Sequence, residues 1–177
     1  MAERALRLFF ALPLPPEMRE ALDRWRPALP LARWARPEGL HVTLAFLGER
    51  PAEVLPALAS LGAATADRHR TFILGTAGLG GFPLIERARI LWLGLEPSPA
   101  LDSLAGDLRR TLAAAAEAFD AKPFRAHITL ARLRQPKSLA DLAAPAPAAF
   151  AADRLVLYES GPQGSFTPLG TWRLRPV

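Results

Sequence analysis

The chain has 177 residues, half of them hydrophobic, and a formal net charge of +5. Its hydrophobic content excludes a disordered chain, and its length predicts one compact domain or two small lobes that share a cleft. The sequence contains no cysteine, which excludes disulfides, thiol nucleophiles and cysteine-ligated zinc.

The first predicted strand covers residues 5–12 and includes the apolar run 8–12. This run is short for the core of a signal peptide and leads directly into prolines, so we interpret it as a buried strand. No apolar run approaches the roughly 20 residues of a membrane span. We therefore expect a cytoplasmic protein with no membrane partner.

Proline stands in the first turn of the long predicted helices, where its missing N–H costs no hydrogen bond. The first predicted helix begins at residues 15–17. The other three cover residues 51–66, 97–119 and 138–142. Met18, Leu22 and Trp25 form the apolar face of the first helix, and Ser98 is the expected N-cap of the third. Pro56 is the weak point of the second.

The remaining predicted strands are short and rich in aliphatic residues. They cover residues 40–47, 71–74, 89–93, 154–159 and 170–174, and one more begins at His127. Gly48 ends the strand 40–47. Residues 75–83 are rich in glycine but match neither G-x-G-x-x-G nor Walker spacing, so we interpret them as a connection between strands rather than a phosphate loop.

This order of elements predicts the α+β class. Each half of the chain contains strands, at least one long helix and one copy of a repeated motif. We therefore expect one domain, residues 1–177, with two similar lobes related by a pseudo-twofold axis. Antiparallel-rich sheets would face a central cleft, with the helices outside.

The repeated motif occurs once in each half of the chain. It reads His41-Val42-Thr43-Leu44-Ala45 and His127-Ile128-Thr129-Leu130-Ala131. Because side chains alternate along a strand, each histidine shares a face with its threonine, while the aliphatic residues face the core. Strict alternation also places Phe46 and Arg132 on the core-facing side, although a twist at the end of the strand could re-aim Arg132. Two of the three histidines at matching positions of a repeat indicate a shared role.

Two imidazoles placed in this way suit acid–base catalysis at phosphorus. Histidine titrates at about pH 6.5, so one ring can be neutral and accept a proton while the other is charged and donates one. Displacement at phosphorus needs the entering and leaving oxygens roughly in line, which an acid and a base on opposite sides would serve. Threonine hydroxyls can bind phosphate oxygens, and Arg132 or another arginine can supply positive charge.

Other interpretations of these residues are weaker. Zinc is disfavoured, because no close-spaced third ligand accompanies the two histidines. His69 is expected to be solvated, and Trp34, Phe82 and Trp92 are more often core residues than base-stacking ones. Codon bias is the preferred explanation of the excess of arginine over lysine, and the alternative is that the guanidinium groups bind phosphate. The net positive charge favours an anionic substrate in either case.

The paired motifs resemble the His-x-Thr-x motifs of the two-histidine phosphoesterase superfamily, in particular the RNA 2′,3′-cyclic phosphodiesterases, also called bacterial 2′-5′ RNA ligases. The resemblance extends over nearly the whole chain. It includes residues 7–11, 46–48, 82–83, 90–92, 131–132, 159–160, 164–166 and 172. Ala126 and Phe166 depart from the family pattern, which often has proline and tyrosine at these positions.

The resemblance implies that His41 donates a proton to the leaving oxygen and that His127 accepts one from water. It implies that Thr43 and Thr129 hold phosphate oxygens, with Arg132 as a further phosphate contact. It also implies hydrolysis of RNA 2′,3′-cyclic phosphate ends to 2′-phosphates, with reversible 2′-5′ ligation. We expect a monomer that requires no metal and no cofactor.

Two other functions stay open at this stage. One is a phosphodiesterase that acts on a small cyclic nucleotide or an ADP-ribose cyclic phosphate. The other is a module that binds RNA ends without turnover, although two histidines add little to simple binding.

Overall fold

The computed structural model describes residues 5–177 and confirms the α+β class. Within this range the α-helices are α1 (Pro16–Trp25), α2 (Leu55–Arg68) and α3 (Pro99–Ala114). The strands are β1 (Ala5–Pro13), β2 (Ala32–Trp34), β3 (His41–Pro51), β4 (Phe72–Phe82), β5 (Ala88–Leu95), β6 (His127–Lys137), β7 (Ala149–Ala152), β8 (Arg154–Ser160) and β9 (Phe166–Arg173).

The strands form one antiparallel path in the order β7-β4-β5-β6-β3-β1-β8-β9, and β2 pairs with β6 beside this path. The two motif strands, β3 and β6, are neighbours at its centre. They meet near their first residues, where Val42 lies opposite Ile128. Because the strands are antiparallel, each then runs away from the other, and both motif histidines flank the meeting point.

The apolar face of each motif strand lies in the core, as the alternation predicts. Val42, Leu44, Ile128 and Leu130 are all buried. Helix α2 packs on β8 and β9, and α3 packs on β3. Residues 5–177 contain no helix long and apolar enough to span a membrane.

The helix signals near proline and serine are largely confirmed. Met18 and Leu22 are the buried residues of α1. The Ser98 hydroxyl accepts a hydrogen bond from the Leu101 N–H at 3.2 Å and caps α3. Pro56 lies in the first turn of α2, since the preceding residues 52–54 form a 3₁₀ turn, so it does not weaken the helix.

Residues 75–82 belong to β4, so the predicted connection between strands is wrong over most of its length. A Cβ on Gly80 would lie 2.1 Å from the Trp92 indole, which crosses the strand at this point. Glycine therefore makes room for a ring on the neighbouring strand, although it lowers the intrinsic strand propensity.

Several predicted boundaries differ from the structure. The predicted helix 138–142 is wrong, because these residues form a turn, and α3 ends at Ala114 rather than near residue 119. Gly48 lies within β3 instead of ending it, and its φ of +72° accommodates an irregularity in the pairing with β1. The four-residue strand β7 was missed because it is mostly alanine.

Candidate active site

His41 is the first residue of β3 and follows the 3₁₀ turn Pro37–Gly39. Its Nδ1–H donates to the Gly39 carbonyl at 2.6 Å, which leaves Nε2 as the acceptor of the neutral ring. Nε2 lies 3.1 Å from the Thr43 hydroxyl. The turn therefore sets the orientation of the ring and directs Nε2 toward the motif threonine.

His127 is the first residue of β6 and is held in the same way. Its Nδ1–H donates to the Arg125 carbonyl at 2.7 Å, so the neutral ring also has Nε2 free to accept a proton. In both copies the accepting carbonyl belongs to the residue two positions before the histidine. The two copies of the motif therefore share the orientation of the histidine ring as well as the sequence.

Aromatic rings surround both histidines. The His41 ring centroid lies 4.8 Å from Phe9, 5.0 Å from Phe166 and 6.2 Å from Tyr158. The His127 centroid lies 5.2 Å from Phe82 and 6.0 Å from Trp92. These contacts fix the rings and remove water from around them. Phe82 and Trp92, interpreted from sequence as core residues, form the wall behind His127.

Burial lowers the pKa of His41 to about 4, against the hydrogen bond to the Gly39 carbonyl, which raises it. A charge on His127 lowers the pKa of His41 further, so the two rings are within electrostatic range of each other. Burial also lowers the pKa of His127, against its bond to the Arg125 carbonyl, and the Arg125 charge lowers it further. Both imidazoles are therefore neutral in the free protein near pH 7.

The first motif strand is irregular just after its threonine. The pairing with β1 skips Leu44, so Thr43 and Ala45 lie opposite consecutive residues of that strand. Beyond the skipped residue the alternation changes phase, and Ala45 is buried whereas Phe46 is not. The prediction that Phe46 faces the core is therefore wrong, and its ring lies on the side of His41.

The second motif strand contains the same irregularity. The pairing with β5 skips Leu130, so Thr129 and Ala131 lie opposite consecutive residues. Ala131 is buried, and Arg132 is exposed on the face that carries Thr129. Strict alternation therefore misplaced Arg132, which the structure brings to the site.

A cleft of about 510 Å³ brings most of these residues together. Its lining residues are Arg7, Phe9, Arg33, His41, Thr43, Phe46, Thr129, Arg132, Ser160, Gly161, Gln163, Gly164 and Phe166. His127 lies outside this set, beside Phe82 and Trp92. The cleft thus combines a histidine, three hydroxyls and three guanidinium groups, a combination that suits a phosphate ester.

Sequence reasoning missed several lining residues. Arg7 and Phe9 share one face of β1, and Arg33 lies between two less exposed neighbours in β2. An arginine within an otherwise apolar strand, as at Arg7 and Arg33, was the sequence feature that could have indicated a side chain facing the cleft. The loop from Ser160 to Gly164 carried no such signal, since its position depends on the pairing of β8 with β9.

The third histidine lies elsewhere. His69 is 14% exposed, and its Nε2 lies 3.0 Å from Asp107 Oδ2, which also accepts from Arg68 at 2.9 Å. The expectation that His69 is solvated was therefore wrong, since it joins the end of α2 to α3.

Trp34, the remaining aromatic residue considered from the sequence, packs edge-on against Trp25, with ring centroids 6.0 Å apart. Residues 5–177 contain no group of three or more side chains that could hold a metal ion.

Comparisons with known proteins agree with this geometry. The family model of the 2′-5′ RNA ligase superfamily matches residues 14–163. The RNA 2′,3′-cyclic phosphodiesterase of Escherichia coli is 35% identical over 95% of the chain and 96% of its own length. That of Geobacillus stearothermophilus is 35% identical over 86% of the chain, which spans about half (51%) of this relative.

Solved structures show the same fold. E. coli LigT complexed with 3′-AMP superimposes with a TM-score of 0.82 at 35% identity, over 97% of this chain and 99% of LigT. TT0787 of Thermus thermophilus superimposes with a TM-score of 0.80 at 32% identity, over 96% of this chain and 98% of that protein.

Proposed function

The chain belongs to the 2′-5′ RNA ligase superfamily, and from this premise we propose that it hydrolyses RNA 2′,3′-cyclic phosphate ends to 2′-phosphates. The observation that carries the proposal is the matched pair of histidines. Each begins a motif strand, and each donates Nδ1–H to a backbone carbonyl and keeps Nε2 for the substrate. Two groups with the same geometry on neighbouring strands suit one acid and one base.

In the proposed reaction, His127 Nε2 accepts a proton from water as the water oxygen bonds to phosphorus. The P–O3′ bond breaks, and His41 Nε2–H protonates the departing O3′. The products are a 2′-phosphate monoester and a free 3′-hydroxyl, and proton exchange with solvent restores both rings. The assignment of donor and acceptor, and of the bond that breaks, follows the family resemblance.

His41 must gain a proton before it can serve as the acid, because its pKa of about 4 leaves it neutral in the free protein. A phosphate anion beside the ring favours the charged imidazolium and raises that pKa. Substrate binding is therefore coupled to proton uptake by His41. The Thr43 hydroxyl, which faces Nε2 at 3.1 Å, can then turn toward a phosphate oxygen.

The remaining polar groups hold the phosphate. Thr43 and Thr129 lie in the cleft and supply hydroxyl donors for non-bridging oxygens. Arg132 lines the same cleft and supplies a guanidinium, which binds phosphate as a planar fork. This set stabilises the charge on phosphorus without a metal ion.

The same site can be used for ligation. If the 5′-hydroxyl of a second RNA replaces water, the same acid–base pair produces a 2′-5′ phosphodiester and a free 3′-hydroxyl.

We also propose a cytoplasmic location, consistent with the absence of cysteine from the sequence.

A phosphodiesterase of small cyclic nucleotides is the second candidate. The cleft volume of about 510 Å³ suits a ligand of about one nucleotide. Product analysis on a short RNA and on a mononucleotide, both ending in a 2′,3′-cyclic phosphate, separates the two functions. Mainly 3′-phosphate products would contradict the proposed bond cleavage, and turnover of neither substrate would contradict the proposed function.

A further inference from the structure

A groove continues from the cleft along the edge formed by β2 and β6. Its first part is a small cavity shared by Arg33, Thr129 and Arg132, all of which also line the cleft. Its second part is an open cavity of about 610 Å³ lined by Leu31, Ala32, Arg33, Arg132, Leu133 and Arg134. A third cavity follows at residues 135–137 and again includes Leu31 and Leu133. Shared lining residues make these cavities one continuous path.

The groove concentrates positive charge. Arg33 lies directly opposite Arg132 in the pairing of β2 with β6, and Arg134 follows two residues later on the same face of β6. Like charges opposite each other on a sheet destabilise the pair. The cavities that form the path contain no acidic lining residue. Arg36 lines the small first cavity, and Lys137 adds a fifth cation at the far end.

These arginines also have no charged partner within the protein. Across residues 5–177, Arg33, Arg132 and Arg134 make neither an ion pair nor a side-chain hydrogen bond. All three are exposed. Most other arginines among residues 5–177 contact carboxylates, carbonyls or aromatic rings, as Arg110 does with Asp107 at 3.9 Å. An external anion is therefore the natural partner of the groove arginines.

We propose that the groove binds the single-stranded RNA that precedes the cyclic phosphate, so that the natural substrate is an oligonucleotide. This inference rests on the proposed function of the cleft. Arg132 holds the reacting phosphate in the cleft, Arg33 would contact the phosphate next to it, and Arg134 and Lys137 would contact phosphates further along the chain. The distance from Thr129 to Lys137 along β6 is about 26 Å, which accommodates several nucleotides.

The apolar part of the groove fits the same ligand. Leu31 is 61% exposed at the groove wall, and its backbone has a φ of +64°. The left-handed backbone conformation is energetically unfavourable for a residue other than glycine. The turn therefore presents an apolar side chain to solvent at the expense of backbone strain. Single-stranded RNA offers unstacked bases that can pack on such a surface, whereas a free mononucleotide in the cleft would not reach it.

The test compares two substrates with the Arg134→Gln/Lys137→Gln double variant. Neither residue lines the cleft, so turnover of a 2′,3′-cyclic mononucleotide should stay within about twofold of the native value. The kcat/KM for an eight-nucleotide RNA with a 2′,3′-cyclic phosphate end should fall about tenfold, since two phosphate contacts are lost. Arg110→Gln on α3, an exposed arginine outside the groove, is the matched control and should change neither value.

Fluorescence anisotropy with the 2′-phosphorylated octamer provides an independent measure of binding. The slope of log affinity against log salt should become shallower by about 0.7 for each phosphate contact removed. An equal loss on both substrates, or unchanged octamer affinity and salt slope, would overturn the groove assignment. If the native protein cleaves neither substrate, the proposed function fails, and anisotropy still decides whether the groove binds RNA.

Discussion

Val42 lies directly opposite Ile128, so the histidines that precede them stand on neighbouring antiparallel strands at the point where these strands meet. Each strand then runs outward and contributes its threonine and one further residue, Phe46 or Arg132, to the cleft. The geometry of the site thus depends on one pairing position and on one irregularity in each strand.

The pH dependence of catalysis should be bell-shaped with an acidic optimum. The pKa values of both histidines are lowered in the free protein, that of His41 to about 4, so kcat/KM should peak below about pH 6.5. Because a bound phosphate raises the pKa of His41, the alkaline limb of kcat should lie at higher pH than that of kcat/KM. Steady-state kinetics from pH 4 to 9 measures both profiles, whose limits belong to the coupled pair. Coincident alkaline limbs would contradict proton uptake on binding.

Which features could be predicted from the sequence depends on how local their causes are. Alternation within the strands placed His41 and Thr43 on one face, because that period depends only on neighbouring residues. The orientation of Arg132 could not be predicted, because the skipped residue Leu130 is defined by pairing with another strand. Similarly, Gly80 is typical of a loop when only neighbouring residues are considered. Its place in a strand depends on the Trp92 ring, twelve positions later, which packs against it.

The unfolding free energy should fall as the pH is lowered from about 6.5 to 4. The lowered pKa of His41 means that the unfolded chain binds protons in this interval that the folded chain does not. The expected loss is on the order of 3 kcal/mol at most, from about 1.4 kcal/mol per unit of pKa difference. Urea titrations at several pH values measure this loss, which should be smaller in His41→Gln. Added phosphate should also reduce it. Equal acid sensitivity in the native protein and His41→Gln would argue against a buried neutral ring.

Chelation should leave activity intact. The proposed acid and base are both imidazoles, and the described residues offer no cluster of metal ligands. Dialysis against EDTA followed by assay on the cyclic mononucleotide should therefore retain full turnover. Loss of activity that returns on addition of a divalent cation would show that the phosphate is held differently from the arrangement proposed above.

Gly80→Ala should impair both stability and turnover. The new Cβ would lie 2.1 Å from the Trp92 ring, and Trp92 in turn contacts His127. Overpacking of this kind costs about 1–3 kcal/mol, and the displaced ring should lower kcat of the folded protein. Gly78→Ala in the same strand is the control, because nothing lies within 4 Å of its added Cβ. Calorimetry and kinetics of both variants provide the comparison. Equal losses of stability and kcat in Gly80→Ala and Gly78→Ala would show that Trp92 does not position His127.

The two histidines should behave as one catalytic unit. If His127 accepts a proton from water while His41 donates one to the leaving oxygen, each turnover needs both groups, and His41→Ala or His127→Ala should lower kcat by about 10²–10⁴-fold. Groups that act together are strongly non-additive, so the double variant should cost little more than the worse single change.

Substrate affinity should fall much less than kcat in these variants, since Thr43, Thr129 and Arg132 remain to hold the phosphate. His69→Ala is the matched control, because this histidine pairs with Asp107 outside the cleft and its loss should affect stability rather than turnover per folded molecule. Circular dichroism and urea titration would establish the folded fraction of each variant. A folded His41→Ala or His127→Ala protein with near-native kcat would refute acid–base catalysis by this pair, whereas additive losses would indicate that the two rings act in separate steps.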